Sequence, residues 1–283
     1  MEKRVSALIS AQELAILYAQ GVNFVILDVS NHALSRKNYE TQHLKGAYFV
    51  DVNTQLSNIK QNLAEGGRHP LPTPAFFAQT IQSLGIKPDS RVIVYDDSKG
   101  ANAAARLWWM LKAQGHQNVQ VLEGGMDSPL LDEWKVNTPS PEPIESIYPV
   151  TDWLLPIVDM DMIEQMRNDG NKMVVDVRDA PRFRGEVEPI DLIAGHIPGA
   201  VNIPYYLNFT PEGKFKSPDE LKEMYQNAFG ARTADDIAIH CGSGVTACHT
   251  LLAIYHAGLE MPNLYVGSWS EWSRNDRALA TLS

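Results

Sequence analysis

At 283 residues the chain is long for a single core, and two compact domains are the better expectation. Hydrophobic residues at 44% and charged residues at 20% are those of a globular protein, and there is no run of about 18 apolar residues to span a membrane. A formal net charge of -10 speaks against a nucleic-acid surface, so a site for an anionic substrate would have to carry its own arginines.

In chain order, the N-terminus holds Lys3 and Arg4 but runs into Gln12 and Glu13 before an apolar core of signal-peptide length develops, which reads as untargeted and cytoplasmic. Phe24-Val-Ile-Leu-Asp28 is a short apolar run, the pattern of a buried parallel strand, and a polar loop leads on to His43-Leu-Lys-Gly46-Ala47. Gly66-Gly-Arg68-His69-Pro70 is loop sequence. A second strand, Arg91-Val-Ile-Val-Tyr-Asp96, opens into Asp96-Asp97-Ser98-Lys99-Gly100 and a helical stretch from Ala103 to Leu111, after which comes Gln120-Val-Leu-Glu-Gly124-Gly125. Val136 to Pro149 contains Pro139, Pro141, Pro143 and Pro149 with little apolar content, and reads as a linker.

The series then repeats. Met173-Val-Val-Asp176 answers the strand ending at Asp28, and His196-Ile-Pro-Gly199-Ala200 answers His43 to Ala47. Ile237-Ala-Ile-His-Cys241 answers the strand ending at Asp96, Ala247 to Ala257 the helix, and Leu264-Tyr-Val-Gly267-Ser268 the segment ending at Gly125. The offsets run from 143 residues (Gly124 to Gly267) to 153 (His43 to His196), too long for a solenoid, and mark one domain duplicated. Strands alternating with helices predict an α/β fold of two domains, 1–135 and 150–283, each a parallel sheet flanked by helices on both faces. The copies diverge at one loop, where Asp96 stands in the place of Cys241, so the nucleophile belongs to the second copy alone.

Cys241 opens the loop Gly242, Ser243, Gly244, Val245, Thr246 where a strand gives way to a helix, the end of an open sheet at which ligands bind. Gly242 and Gly244 allow successive N–H groups to face an anion, and Thr246 is expected to cap the helix. Such dipoles favour a thiolate and a persulfide alike. A cysteine after an apolar strand is otherwise a small buried hydrophobe, and here the glycines and the strand-loop-helix setting favour chemistry. Cys241 and Cys248 are the only cysteines, which makes neither a disulfide framework nor a zinc set. Cys248, two helical turns on, reads as packing, with a resolving thiol as the alternative. A phosphatase loop would need Arg at position 247, which is Ala. His240 faces away if still in the strand and reads as core.

The loop Cys241-Gly-Ser-Gly-Val-Thr-Ala247, together with His196-Ile-Pro-Gly-Ala200, Arg106-Leu-Trp-Trp109, Leu122-Glu-Gly-Gly125 and Gly267-Ser-Trp-Ser-Glu-Trp272, resembles the tandem rhodanese family. Its loop is most similar to that of the 3-mercaptopyruvate sulfurtransferases, the sister group of the thiosulfate sulfurtransferases. The resemblance implies a silent N-terminal domain, an active C-terminal domain, and transfer of sulfur from mercaptopyruvate or thiosulfate through a Cys241 persulfide to cyanide, a thiol or thioredoxin. No metal or organic cofactor, nucleic acid or membrane is implied. Gly242 and Ser243 are neutral where thiosulfate enzymes carry basic residues, which points to mercaptopyruvate. Arg182, in an Arg-Phe pair, would hold the donor carboxylate. The family's second arginine, nine residues on, is Asp191 here, which leaves Arg178 or Arg184 to substitute unless they are salt-bridged loop residues. Ser243 and His69 match two members of a relay proposed in the family, whose acid reads as Asn53, and Arg68 either adds charge beside them or faces solvent. The alternative functions are a thiosulfate-preferring enzyme and a non-enzymatic persulfide carrier.

Overall fold

The computed structural model describes residues 5–282. Two compact units are present, one formed by the chain up to Leu56 with Pro72–Leu154, the other by Ser57–Leu71 with the chain from Leu155.

In the first unit the elements are β1 (Leu8–Ile9), α1 (Ala11–Ala19), β2 (Val25–Asp28), α2 (Ser35–Thr41), β3 (His43–Leu44), β4 (Ala47–Phe49), α3 (Pro74–Ser83), β5 (Val92–Tyr95), α4 (Ala103–Ala113), β6 (Val119–Leu122) and β7 (Lys135–Val136). The sheet runs β1-β6-β5-β2-β4 with every pair parallel, while β3 and β7 form a separate antiparallel pair. The second unit holds β8 (Ile157–Val158), α5 (Met160–Met166), β9 (Met173–Asp176), α6 (Ala180–Arg184), β10 (Val201–Asn202), α7 (Pro218–Phe229), β11 (Ile237–His240), α8 (Thr246–His256), β12 (Asn263–Tyr265) and α9 (Ser268–Trp272). Its parallel sheet, β8-β12-β11-β9-β10, repeats the order of the first, and helices flank both sheets.

Local chemistry starts the helices where the sequence puts capping residues. Ser10 and Glu13 close a reciprocal cap on α1, and Ser217 and Glu220 do the same on α7, each cap worth about 1 kcal/mol. All four residues of β5 and of β11 are buried, as central strands of a covered sheet require. Ile9, Ile26, Ile93 and Leu122 anchor one core, and Val174, Ala238, Trp269 and Trp272 the other. Each fully buried large side chain contributes roughly 1.5–3 kcal/mol.

The duplication extends to side chains. His43 Nδ1 meets the carbonyl of Tyr39 at 2.7 Å and stacks on that ring; His196 Nδ1 meets the carbonyl of Phe183 at 2.7 Å and stacks on that ring. Both histidines therefore brace a helix against the following strand.

The proline-rich stretch expected to be a linker at 136–149 is grouped with the first unit, which continues to Leu154. Its polar groups tie it down: Ser140 Oγ donates to the Ala47 carbonyl at 2.7 Å, the Ser146 N–H to the Gln82 carbonyl at 3.0 Å, and Tyr148 Oη pairs with His116 at 3.1 Å. No helix among the described residues is long and apolar enough to cross a membrane.

Candidate active site

Cys241 follows β11 directly and begins a loop, residues 241–245, that enters α8; the corresponding loop of the first unit, 96–102, is two residues longer. Cys241 is 2% exposed. Its N–H donates to Ser268 Oγ at 3.2 Å, and the carbonyls of Cys241 and Gly242 accept the N–H groups of Trp269 and Ser270 at 3.0 and 2.8 Å. The loop is thereby laid along the start of α9.

Gly244 has φ +73°, and a methyl group there would lie 2.4 Å from the Val266 carbonyl oxygen, so only glycine fits. Thr246, expected to cap α8, is instead its first residue. Val245 occupies the cap position in a helical conformation, without a side-chain cap bond, because the short loop winds straight into the helix. Cys248 is buried and its thiol donates to the Gly244 carbonyl at 3.3 Å, so it braces the loop from the helix.

Ser268 carries no sequence signal of its own, yet it is one of two non-glycine residues with positive φ among those described. At φ +55° it donates to the Tyr265 carbonyl at 2.9 Å while accepting the Cys241 N–H. Its counterpart in the first unit is Gly125 at φ +66°, where a methyl group would come 2.8 Å from the Asp96 carbonyl oxygen. Where the first unit has that glycine, the second has a hydroxyl that holds the Cys241 backbone.

The first unit's loop displays what such a turn binds. The carboxylate of Asp96 accepts N–H groups from Ser98, Gly100, Asn102 and Ala104 at 2.9, 2.7, 3.2 and 3.0 Å. Burial pushes the Asp96 carboxyl up even so.

Arg68 and Arg182 reach the Cys241 loop. A methyl group on Gly242 would lie 3.0 Å from Arg68 Nη2, 3.4 Å from Arg182 Nη2 and 3.5 Å from Asp191 Oδ2. Arg68 arrives on the Ser57–Leu71 segment, which packs within the second unit. The Gly66 N–H donates to Glu271 at 2.7 Å, the Arg68 N–H to Ser270 Oγ at 3.0 Å, and Asn275 to the Ala64 carbonyl at 3.0 Å. Gly67, at φ +76°, passes so close that a methyl group would sit 2.4 Å from the Gly267 carbonyl.

Asp191, with its side chain fully shielded, is the hub of this cluster. It accepts from Arg68 Nε at 2.9 Å and Nη2 at 3.3 Å, from Arg182 Nη2 at 3.3 Å and from Arg274 Nη1 at 3.3 Å. Glu188 grips Arg182 at 2.7 and 3.2 Å; burial opposes its ionisation, but Arg182 and the N–H groups of Asp191 and Ile190 together hold the carboxyl below its usual range. Two further arginines are held by other acids, one of them also sharing Glu188. Arg178 is buried, with Nε and Nη2 on Asp176 at 2.6 to 3.1 Å, Nη2 also on the Gly195 carbonyl and Nη1 on Glu188. Arg184 is exposed and pairs with Glu186 at 2.6 Å. Both are thus engaged in ion pairs. Asp176 would be raised by burial, but Arg178 and His240 overcome this and hold it low.

His69 Nδ1 lies 2.9 Å from Ser243 Oγ, so these two predicted partners are together. The Asn53 N–H donates to Asp51 Oδ1 at 2.7 Å in the first unit. His240 is buried in the core with Nδ1 3.1 Å from the Cys241 carbonyl, and burial depresses its pKa. Trp269 donates to the Ile193 carbonyl at 2.8 Å and lies beneath the Arg178 guanidinium, 4.8 Å from ring centroid to carbon.

Arg274 and Glu188 carried no motif signal. Glu188 sits in the acidic Gly185–Asp191 segment, whereas Arg274 shares no motif or repeat with its partners and only folding brings it there.

The profile of the family described as Rhodanese-like domain matches residues 10–129 and 159–275. A Pseudomonas aeruginosa protein named "Probable 3-mercaptopyruvate sulfurtransferase" is 36% identical over 281 residues, spanning 95% of this chain and 96% of that protein. The thiosulfate sulfurtransferase of Gallus gallus is 35% identical over 244 residues, spanning 84% and 81%. Among solved structures, the 3-mercaptopyruvate sulfurtransferase from Leishmania major superposes with a TM-score of 0.81 at 29% identity, covering 96% of this chain and 75% of that one.

Proposed function

Because the chain belongs to the rhodanese-like family, as a sulfurtransferase with two copies of the domain, we propose that it carries sulfur from 3-mercaptopyruvate through a Cys241 persulfide to a thiophilic acceptor. The Cys241 thiolate attacks the donor sulfur. As the new S–S bond forms, the donor's C–S bond breaks and its electron pair leaves on carbon as the enolate of pyruvate, which takes up a proton. An acceptor thiolate, cyanide or reduced thioredoxin then attacks the outer sulfur and releases the Cys241 thiolate. Thiosulfate would load the same cysteine with sulfite as the leaving group.

The observation that carries this reading is Gly242, bonded to Cys241 on one side and within reach of the Arg68 and Arg182 guanidiniums on the other. An anionic donor held by those arginines has its sulfur beside the thiol, and their charge stabilises the developing enolate. The amides that close on Asp96 in the silent copy support a similar cradle for the persulfide anion in the active one. Ser243, bonded to His69, supplies a route for the proton the enolate takes up. A reducing cytoplasm suits both cysteines, which are free thiols. The test is saturable pyruvate release from mercaptopyruvate with matching sulfur transfer to a thiol; no transfer from either mercaptopyruvate or thiosulfate refutes it.

A further inference from the structure

We infer that Asp191 is a specificity-determining positioning residue, which sets the arginine cluster beside Gly242 to accept one negative charge and so favours monoanionic donors over dianionic ones. The inference rests on Cys241 being the sulfur-carrying residue. Arg68, Arg182, Arg274 and, through Glu188, Arg178 supply four positive charges, and Asp191, Glu188 and Asp176 return three negative ones, so the linked cluster holds a single net positive charge. A monocarboxylate with a neutral thiol, as mercaptopyruvate is at neutral pH, balances that charge; a dianion such as thiosulfate exceeds it.

Geometry makes the same selection. Asp191 and Glu188 take Nε and Nη2 of Arg182, and Asp191 takes Nε and Nη2 of Arg68. Both forks are therefore locked on their inner sides, with the Nη1 group of each outside every hydrogen bond and ion pair described for these two side chains. Their side chains are 21% and 14% exposed and their Nη2 groups stand beside Gly242, so the two forks can together meet one small carboxylate there. Asp191 has no exposed side-chain surface, and its Oδ2 stands 3.5 Å from the methyl position on Gly242, beside the Nη2 groups that it fixes.

The experiment compares wild type, Asp191→Asn and Asp191→Glu, with kcat and KM measured separately for mercaptopyruvate and thiosulfate. Asp191→Asn removes one negative charge and keeps the shape. It should lower KM for thiosulfate relative to KM for mercaptopyruvate about tenfold, equivalent to about 1.4 kcal/mol, with kcat for each donor little changed. Asp191→Glu should keep the wild-type ratio. An unchanged ratio in Asp191→Asn, or the same shift in Asp191→Glu, overturns the inference. Because a buried hub substitution can cost folding, calorimetry on the wild-type protein supplies a second test: pyruvate should bind more tightly than sulfate, and sulfate binding as tightly or more tightly overturns the inference. A wild type that loads sulfur from neither donor defeats the sulfur-transfer reading itself, while the calorimetric comparison still tests the charge selection by itself.

Discussion

Ser268 offers a sharp test of how the backbone at Cys241 is held. Within ordinary helical backbone alanine is more stable than glycine by roughly 0.5–1 kcal/mol. At position 268 the order should reverse. Ser268→Ala keeps the left-handed backbone of φ +55° while removing the hydroxyl that accepts the Cys241 N–H and donates to Tyr265. Leaving that buried N–H unmatched costs about 1–3 kcal/mol, and the left-handed conformation already burdens a residue with a side chain by roughly 1–2 kcal/mol. Ser268→Gly loses the same bonds but is released from the conformational cost, as Gly125 is in the first unit. The glycine variant should therefore be more stable than the alanine variant by about 1 kcal/mol, a difference in urea midpoint of roughly 0.5 M for an ordinary m-value. Both should load sulfur more slowly than wild type, since both release the Cys241 backbone. An alanine variant as stable as the glycine variant would refute the reasoning.

Three further outcomes are expected. Gly244→Ala forces the loop off the Val266 carbonyl and should reduce sulfur loading at least about tenfold, whereas Gly258→Ala, at φ +76° with no atom within 4 Å of the new methyl, costs only about 1 kcal/mol and leaves loading intact; equal loading rates would contradict this. Arg178→Ala leaves Asp176 buried without its partner and should cost about 3–5 kcal/mol in thermal or urea unfolding, while Arg182→Ala should raise the donor KM with a much smaller loss of stability; the reverse pattern would return Arg178 to the donor site. Burial holds the pKa values of His116, His196 and His240 below the ordinary histidine value, so the unfolded chain binds more protons than the native one below about pH 6.5, and stability contributed by the neutral histidines is lost as pH falls. Asp28 and Asp96, raised by burial, pull in the opposite sense. The measurement is thus a difference: His116→Gln should unfold with a shallower acid dependence than its parent, by up to about 1.4 kcal/mol per pH unit, and parallel curves would disprove it.

Much of this was legible in the chain. The α/β class, the duplication and the position of Cys241 follow from apolar runs, punctuating glycines and a repeated order of segments, all of them local signals. The two sheets share their strand order, and the paired roles of His43 and His196 had a visible trace in the repeated His-Leu-Lys-Gly-Ala and His-Ile-Pro-Gly-Ala segments. The site's electrostatics were less legible, because they depend on distant residues meeting. Asp191 looked like a missing arginine; it is the acid that organises Arg68, 123 residues earlier, and Arg274, 83 residues later. Arg178 could not be separated from Arg182 by spacing, since the segment after β9 turns Arg178 inward to Asp176 while α6 carries Arg182 toward Gly242. The Ser57–Leu71 excursion into the second unit has no compositional mark beyond Gly66 and Gly67, whose left-handed turns make the close approach possible.

The central claim is that Cys241 carries the sulfur, and intact-protein mass spectrometry after exposure to mercaptopyruvate, with peptide mapping, tests it most directly. The protein should gain the mass of one sulfur atom on the peptide containing Cys241, lose it again on addition of a thiol, and gain nothing when Cys241 is replaced by Ser. Sulfur found on Cys248, or loading that persists in Cys241→Ser, would contradict the account.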